Sequence, residues 1–341
     1  MYIEEEIYLD NQEKRSLIAN FLNKFQLQFD NDIDYSIVVY DNERIIATAS
    51  KSRNILKCFA ILDSYQGMGI TNSLVKKIED RMFQEGLYHF FIVTPRYNKM
   101  FFTNIGYKAI ITSSEVTILE NGNRQIKSFL TSLKTKHQVD EKEKACIIIN
   151  GNPFSLGHQF LIEKAAALND AVLVFVVTED KSSFPFSLRL HLVKEGTKHL
   201  KNVTVLETGP YLVSQITFPT YFLKDSSDVV KIQTKMDTEI FATYYKPVFN
   251  ITRRYVGTEP YCEVTKAYNE MMKLVLPKYG IEVIEVERKA INGQVISASS
   301  IRELLKKRNF QALKRLVPQT TYDYLTNPEI IDKLRENQGR H

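Results

Sequence analysis

An apolar run at residues 145–149, Ala-Cys-Ile-Ile-Ile, ends in the turn Asn-Gly-Asn-Pro-Phe-Ser-Leu-Gly-His at residues 150–158, and an alanine-rich amphipathic stretch follows at once. This order predicts a buried strand, a tight turn and a helix whose N-terminus carries about half a positive charge. Gly157 lets a ligand approach the backbone closely because it has no side chain. The turn therefore predicts a point at which a cationic or hydrogen-bonding His158 and free backbone N–H groups face a phosphate.

Buried-type strands alternate with helical stretches after this turn. Strands are predicted at residues 145–149, 171–177, 203–206, 229–232, 255–256 and 281–286, and helices at residues 187–199 and 264–276. Such alternation predicts an α/β domain with a parallel sheet and helices on both faces. Ligands of such sheets bind at the carboxyl ends of the strands, where the first turn and Gly257-Thr-Glu-Pro260 both lie.

The first third of the chain has a different pattern. Short strands are predicted at residues 35–40, 45–49, 55–62 and 90–93, with a helix carrying Ile70, Leu74 and Ile78 before the last of them. Antiparallel strands followed by one strand–helix–strand unit indicate a small α+β domain. A polar, lysine-rich joint follows, within which Ile126, Leu130 and Leu133 suggest a short helix. We therefore predict domains at residues 1–120 and 145–341, separated by a charged linker at residues 121–144.

Composition narrows the class of protein. A chain of 341 residues suggests two domains, and a formal charge of +5 with interspersed Lys and Glu predicts a solvated surface rather than a nucleic-acid groove. Cys58, Cys146 and Cys262 are far apart, and no His/Cys pairing predicts a protein-bound metal. The acidic start and the short apolar runs match neither a signal peptide nor a membrane span. We expect a cytoplasmic protein that binds neither nucleic acid nor membrane.

A second motif strengthens the phosphate interpretation. Ile296-Ser-Ala-Ser-Ser-Ile-Arg302 leads into another predicted helix, whose start Ser300 and Glu303 could form as a capping box. Capping does not require Arg302, nor the small hydroxyl residues Ser297 and Ser299. A helix start lined by hydroxyl groups and an arginine suits bidentate contact with phosphate.

These two motifs resemble the signatures of the nucleotidylyltransferase superfamily, (His/Thr)-x-Gly-His and Ile-Ser-x-x-x-Ile-Arg. The first corresponds to Ser155-Leu-Gly-His158 and the second to Ile296–Arg302. The resemblance implies attack of a carboxylate or phosphate oxygen on the α-phosphate of ATP, with pyrophosphate leaving. The chain departs from the common pattern at Asn152 and Ser155, and a serine keeps the hydroxyl group of the threonine subtype.

The order of five blocks further resembles the citrate lyase ligase family. They lie at residues 150–158, 217–224 (Thr-Phe-Pro-Thr-Tyr-Phe-Leu-Lys), 234–241 (Thr-Lys-Met-Asp-Thr-Glu-Ile-Phe), 255–260 and 296–302. This resemblance covers essentially the whole chain. It implies an ATP-dependent acetate:thiol ligase whose partner is the acyl carrier subunit of citrate lyase, with its CoA-like prosthetic group.

The resemblance also implies roles for particular residues. His158, Arg302, Ser155 and Lys224 are the candidates for catalysis, although Lys224 after an aromatic run is also typical of a surface position. ATP, with the Mg²⁺ that it carries, is expected to contact a larger set: Asn150, Gly151, Asn152, Pro153, Phe154, Gly157, Gly257, Glu259, Ile296, Ser297, Ser299 and Ser300. For Glu259, a plain loop charge is an equally good interpretation.

The N-terminal domain resembles the GNAT acetyltransferase fold. Gln66, Gly67 and Gly69 match its glycine loop, whose amides hold the pyrophosphate of coenzyme A, while Thr71 replaces the usual small residue. Phe101–Tyr107 resembles a later aromatic block of that fold. No general base is evident, since Glu79, Asp80 and Glu85 are typical of solvated helix positions. We expect the domain to bind a coenzyme-A-like arm without transferring acetyl from acetyl-CoA.

Two other functions fit parts of the pattern. A nucleotidyltransferase that makes a dinucleotide-type cofactor would use the same two phosphate motifs. A GNAT protein acetyltransferase with a nucleotide-sensing domain would use the glycine loop, but the intact His158 and Arg302 motifs argue against a degenerate sensor.

Overall fold

The computed structural model of the chain describes residues 2–7, 12–179, 182–218, 226–291 and 294–327, with only the backbone described at residues 226–229 and 294. Two compact units are present. The first comprises Met1–Phe129 and Gln215–Met236, and the second comprises Leu130–Ser214 and Asp237–His341. The division predicted from the sequence, with a linker at residues 121–144, stays a prediction.

The first unit contains a mixed seven-stranded sheet in the order β1-β2-β3-β4-β5-β7-β6. Its strands are β1 (Ile3–Ile7), β2 (Tyr35–Asp41), β3 (Arg44–Ser52), β4 (Ile55–Ile61), β5 (His89–Pro95), β6 (Lys108–Thr112) and β7 (Val116–Gly122). β1 to β4 pair antiparallel, whereas β4 and β5 pair parallel across a helical crossover. This confirms the antiparallel strands and the single strand–helix–strand unit predicted from the sequence.

Helices cover both faces of this sheet. They are α1 (Gln12–Asn23), α2 (Ile70–Gln84) and α3 (Lys99–Asn104). Ile37 on β2 packs in the cluster that contains Leu74 of α2, while the adjacent Val38 packs with Ile18 of α1. Because successive strand residues point to opposite faces, a strand buried on both sides reads as a continuous apolar run.

β4 and β5 pair at one end and then separate. Their Cα partners are Ile55 with Phe91 and Leu56 with Ile92. The pairing of β4 with β3 then skips from Lys57 to Ala60, and Cys58 takes a positive φ of 52°. A bulge of this kind bends a strand and interrupts its pairing. The sheet therefore opens into a cleft between β4 and β5.

The second unit contains a five-stranded parallel sheet in the order β10-β9-β8-β11-β12, and a small hairpin, β13–β14. The strands are β8 (Lys144–Ile149), β9 (Val172–Val176), β10 (Val203–Glu207), β11 (Ile251–Gly257), β12 (Glu282–Val286), β13 (Ala290–Ile291) and β14 (Gln294–Val295). The chain runs outward from β8 to β10 and returns to place β11 on the other side of β8. The carboxyl ends of β8 and β11 therefore form the topological switch point, where ligands of such sheets bind.

The remaining helices follow in chain order. They are α4 (Ile126–Lys136), α5 (Leu156–Leu168), α6 (Phe186–Thr197), α7 (Ser226–Ile240), α8 (Lys246–Phe249), α9 (Glu263–Val275), α10 (Ala298–Lys306), α11 (Phe310–Leu313) and α12 (Gln319–Leu325), with a π-helical turn at Phe241–Tyr245. Of these helices, α4 and α7 each contain residues of both units. The short helix expected near Ile126 is confirmed as α4. Five of the predicted strands and both predicted helices of this half are also confirmed.

Two local expectations are wrong. Residues 229–232 belong to α7, because the buried Gln233, Met236 and Ile240 recur at helical spacing and a short apolar run does not distinguish a strand from a helix. Glu79, expected in solvent, is half-buried and accepts a hydrogen bond from the Tyr107 hydroxyl at 2.6 Å. Glu85 is exposed, as expected, and pairs with the buried Lys51 at 2.7 Å.

Among the residues that the structure describes, no helix is both long and apolar enough to cross a membrane.

Candidate active site

A cavity of about 630 Å³ lies at the carboxyl ends of β8 and β11 in the second unit. From the first motif, Asn150, Ser155, Gly157 and His158 are on its wall. From the β11 end and the second motif, the wall includes Gly257, Glu259, Ile296, Ser297 and Ser299. The fold thus brings both motifs to one cavity, whose volume is typical of a small-molecule site.

His158 is held in one orientation by the start of its own helix. Its Nδ1 accepts the backbone N–H of Ser155 at 3.1 Å and lies 2.9 Å from the Ser155 hydroxyl oxygen. An Nδ1 that accepts a backbone N–H carries no proton, so the neutral ring carries its proton on Nε2. Nε2 has no hydrogen-bond partner among the described residues, and the ring lines the cavity. His158 therefore presents a hydrogen-bond donor to a ligand.

The imidazole of His158 is neutral at physiological pH. Burial, and then the nearby positive charge of Arg288, lower its pKa to about 4. Its ring also stacks on the buried Phe154, with the planes 12° apart. Of the two forms that the sequence leaves open, the structure supports the neutral hydrogen-bonding one.

The first turn of α5 uses most of its N–H groups within the protein. Ser155 is the N-cap, and its hydroxyl accepts the N–H of His158 at 3.2 Å. The N–H of Leu156 donates to the carbonyl of Leu316 at 2.9 Å. Gly157 is left with no acceptor for its N–H in the described parts of the chain, so this helix start offers fewer free amides than the sequence suggests.

The start of α10 is capped by Ser297 and not by the predicted capping box of Ser300 and Glu303. Ser297 is the N-cap and accepts the N–H of Ser300 at 3.1 Å, so Ser300 already lies inside the helix. The amides of Ala298 and Ser299 have no acceptor within the described ranges, and both residues line the cavity. With Gly157, three unpaired N–H groups thus border one space, an arrangement that favours an anion.

Arg302 joins the two motifs. Its Nη1 donates to the backbone carbonyl of Asn152 at 2.7 Å, and its Nη2 donates to the Ser299 hydroxyl at 3.1 Å. The Ser300 hydroxyl donates to the carbonyl of Ser297 at 2.8 Å. The structure places Arg302 and Ser300 beside the residues that line the cavity rather than on its wall.

The rest of the first turn supports the wall from behind. The fully buried guanidinium of Arg189 donates to the carbonyl of Asn150 at 3.0 Å and to its side-chain oxygen at 2.8 Å. The Asn152 side chain accepts the N–H of Phe184 at 3.1 Å. Phe154 is buried against Gly196, where an added Cβ would lie 2.4 Å from the ring. Gly151, at a positive φ of 63°, and Pro153, after a cis peptide bond, complete the turn.

Glu259 and Arg288 form an ion pair on the cavity wall. The other carboxylate oxygen of Glu259 accepts the N–H groups of Tyr261 and Cys262, at 3.0 and 3.2 Å, just before α9. Gly257 leaves room for Arg288, whose Cγ would lie 3.5 Å from an added Cβ. Glu259 is therefore more than a solvated loop charge, because its carboxylate orients the guanidinium of Arg288 beside the cavity.

Three arginines near the site were not identified from the sequence. Arg189 and Arg288 are described above, and Arg254 on β11 also lines the cavity. None lies in a recognisable motif, and a single arginine in an apolar or mixed stretch carries little signal. Lys224, predicted to be catalytic, lies outside the described residues, as does most of the block at residues 217–224.

The charge around the cavity is suited to an anionic ligand. Unpaired amides, the Nε2–H of His158 and the guanidinium of Arg288 all border it. Throughout the described ranges, no group of three or more His, Cys, Asp or Glu side chains could hold a metal ion. Such donors stabilise negative charge on phosphate oxygens without proton transfer from the protein.

The cleft between β4 and β5 in the first unit has a volume of about 530 Å³. Of the predicted loop residues, Gln66, Gly67 and Thr71 line it, together with apolar residues such as Phe59 and Phe101. Gly69 precedes α2 as its N-cap. Gly67 and Gly69 both take positive φ values, of 78° and 79°, and an added Cβ would meet no atom within 4 Å at either. This loop exposes backbone to the cleft mouth.

Comparison with known proteins agrees with this two-part architecture. The family model of the citrate lyase ligase C-terminal domain matches residues 144–325, and that of the acetyltransferase (GNAT) family matches residues 3–100. The citrate (pro-3S)-lyase ligase of Escherichia coli strain K12 is 37% identical over 320 residues, which covers 92% of this chain and 91% of that protein. The ligase of the same name from Klebsiella pneumoniae is 35% identical over 322 residues, with 93% and 94% covered.

A shorter similarity is found to the phosphopantetheine adenylyltransferase of Symbiobacterium thermophilum, at 39% identity over 64 residues, or 18% of this chain and 40% of that protein. The long matches extend across both halves of the chain. The chain therefore belongs to the citrate lyase ligase family, with a GNAT-like N-terminal domain and a nucleotidyltransferase-like C-terminal domain.

Proposed function

We propose that this protein is an ATP-dependent acetate:thiol ligase. It adenylates acetate and transfers the acetyl group to the phosphoribosyl-dephospho-CoA thiol of the citrate lyase acyl carrier subunit, which activates citrate lyase. The observation that carries the proposal is the convergence of His158, Arg288 and the unpaired amides of both motifs on one cavity. Membership of the citrate lyase ligase family supports the choice of acid and acceptor.

The first step is the attack of an acetate oxygen on the α-phosphorus of ATP. The new O–P bond forms as the bond between the α-phosphorus and the bridging oxygen breaks, and pyrophosphate leaves with that electron pair. Charge develops on phosphate oxygens, so preorganised donors contribute more than an acid or base. His158 donates through Nε2, Arg288 supplies positive charge, and the Mg²⁺ carried by ATP shares the remaining charge.

Other predicted residues support this step indirectly. Ser155 caps α5 and holds the ring of His158, so we assign it a positioning role. Arg302 donates hydrogen bonds to Asn152 and Ser299 and so holds the first motif against the start of α10. For Lys224 we retain the proposal of a contact with phosphate or acetate charge.

The second step is the attack of the carrier thiol on the acetyl-adenylate, which gives the thioester and AMP. We infer that the cleft of the GNAT-like domain binds the CoA-like arm. Its aromatic side chains and its exposed glycine loop suit a long arm that carries a pyrophosphate. Gln66, Gly67, Gly69 and Thr71 are the residues proposed to contact that pyrophosphate.

Exchange between ATP and labelled pyrophosphate tests the first step. With acetate as the only carboxylate, the protein should catalyse exchange without any carrier protein. Adding ATP and acetate to deacetylated citrate lyase should then restore lyase activity. Folded protein that shows no acetate-dependent exchange would contradict the adenylate mechanism.

The same assay separates two other functions. The similarity to an adenylyltransferase makes a nucleotidyltransferase the second candidate. That enzyme would exchange pyrophosphate with a phosphate substrate such as phosphopantetheine and not with acetate. An acetyltransferase that uses the N-terminal cleft would instead consume acetyl-CoA without ATP.

A further inference from the structure

The cavity of the second unit continues beyond the two phosphate motifs to a wall formed by β8, β11 and α9. This part of the cavity is lined by Ile148, Arg254, Tyr268 and Met272. Arg254 has only 3% of its surface exposed, although it borders the cavity. A guanidinium in such a position requires an explanation, because a buried charge is costly unless it is paired.

The close partners of Arg254 carry no charge. Its Nη1 lies 3.5 Å from the sulfur of Cys146, and its guanidinium lies 5.2 Å from the centre of the Phe241 ring. Burial raises the pKa of the Cys146 thiol to about 11, so that group is neutral. No carboxylate in the described part of the chain lies within ion-pair distance of Arg254, unlike its neighbour Arg253, which lies 3.5 Å from Glu282.

An acid of the same cluster is engaged by other groups. Asp237 is fully buried, and its two carboxylate oxygens accept the Tyr268 hydroxyl and the N–H of Val213, the latter at 2.7 Å. The charges of Asp237 and Arg254 both act on the pKa of Tyr268, but among the described residues the Arg254 guanidinium forms no hydrogen bond with Asp237. A planar guanidinium matches the two oxygens of a carboxylate.

We propose that Arg254 binds the carboxylate of acetate, with Ile148 and Met272 beside its methyl group. This inference rests on the proposed function and identifies the acid-binding part of the same cavity. Met272 is buried and fills space that a longer acyl chain would need. Arg254 thus holds the acid next to the donors that bind ATP, and the reaction proceeds by the bond changes given above.

Kinetics of pyrophosphate exchange test the role of Arg254. For Arg254→Met we expect the acetate KM to rise about 10- to 100-fold, the loss typical of a charged hydrogen bond, while the ATP KM stays within about twofold. Arg254→Lys should recover part of the acetate affinity, because lysine restores the positive charge but not the two parallel N–H donors of a guanidinium. Arg253→Met is the matched control, since this adjacent β11 residue lies outside the cavity wall, and its acetate KM should equal that of the wild type.

The outcomes separate this inference from the proposed function. If the wild type exchanges with acetate but Arg254→Met keeps the wild-type acetate KM, Arg254 does not bind the acid. A rise in the ATP KM with an unchanged acetate KM would assign Arg254 to the nucleotide and also overturn the inference. A wild type without acetate-dependent exchange would instead overturn the proposed function itself.

A second variant tests the acyl side without removing the buried charge. Met272→Ala enlarges the space beside the methyl group by removing side-chain atoms at a buried position. We expect the ratio of kcat/KM for butyrate to that for acetate to increase about tenfold. This is the discrimination that one or two methylene groups typically produce in an apolar pocket. An unchanged ratio in folded protein would place the methyl group elsewhere and contradict the assignment.

Discussion

The two cavities of this molecule are similar in size but differ in the polar groups on their walls. The cavity of the second unit, at the ends of parallel strands, is bordered by unpaired amides, the Nε2–H of His158 and the guanidinium of Arg288. The cleft of the first unit combines aromatic side chains with polar ones, and its buried lysine, Lys57, is paired with Asp30 and Asp32 at 3.0 and 3.1 Å. Free donors can stabilise charge that develops during a reaction, whereas a wall whose charge is already paired binds a ligand without such stabilisation.

This contrast explains how one chain can combine two common folds in one activity. The parallel sheet supplies helix starts at its switch point, where ligands of such sheets bind. The bulge in β4 opens the other sheet and supplies a cleft for a long arm. Under the proposed function, the second unit performs the chemistry and the first unit recognises the acceptor.

The strongest test of the contrast removes the donor in the second unit. His158→Ala should lower kcat for acetate-dependent exchange about 100- to 1,000-fold, as is typical for the loss of one oxyanion donor. His199→Ala is the control, because His199 is exposed and contacts Glu163 rather than the cavity. Equal activity in both variants would remove His158 from the mechanism.

The next test concerns Arg288. Arg288→Met should lower exchange about tenfold or more, and Arg288→Lys should recover part of the rate because it retains the charge. The loss of this positive charge should also raise the pKa of His158 from about 4.

The pH profile gives the sign of that effect. A protonated Nδ1 could no longer accept the Ser155 N–H that orients the ring, so exchange should fall as His158 becomes protonated. Acetate is itself protonated in this acidic range and lowers exchange by both proteins alike, so the test is the difference between the two profiles. The fall in Arg288→Met should begin at a higher pH than that of the wild type, in which the pKa of His158 is about 4. Profiles that coincide would show that the charge of Arg288 does not act on His158.

The glycine loop of the first unit is tested by a pair of variants that differ in one charge. Gly69 has a positive φ and no atom near an added Cβ, so Asp and Asn both fit there, and both are good N-cap residues. Gly69→Asp should raise the KM for the carrier protein about tenfold relative to Gly69→Asn, since a carboxylate repels pyrophosphate. Both variants should keep acetate-dependent exchange, and an equal KM in the two would contradict binding of the arm at this loop.

The smallest effect on activity is expected for packing behind the cavity of the second unit, where stability is measured instead. Gly196→Ala places a Cβ 2.4 Å from the Phe154 ring, whereas Gly67→Ala in the first unit meets no atom within 4 Å. Overpacking should cost about 1–3 kcal/mol in the free energy of unfolding, against about 1 kcal/mol of backbone strain at Gly67. Denaturant titration of both variants measures the difference, and a larger loss for Gly67→Ala would reverse the comparison.

Local sequence predicted much of this architecture. The alternation of strands and helices identified the parallel sheet, and the turn ending in His158 identified one helix start. These predictions succeed because a turn, an N-cap and a buried strand depend on residues that are close in the chain. The strand expected at residues 229–232 failed because its apolar run is too short to distinguish a strand from a helix.

The sequence by itself determined that two phosphate-type helix starts lie in one α/β domain and that a GNAT-like domain precedes it. The tertiary structure decided which groups remain free at those starts, since the amide of Leu156 is used by Leu316, far along the chain. It also decided that His158 is neutral, through burial and the nearby charge of Arg288, and it placed Arg254 on the cavity wall. Burial and charge at a site depend on residues that only folding brings together, and a linear motif does not record them.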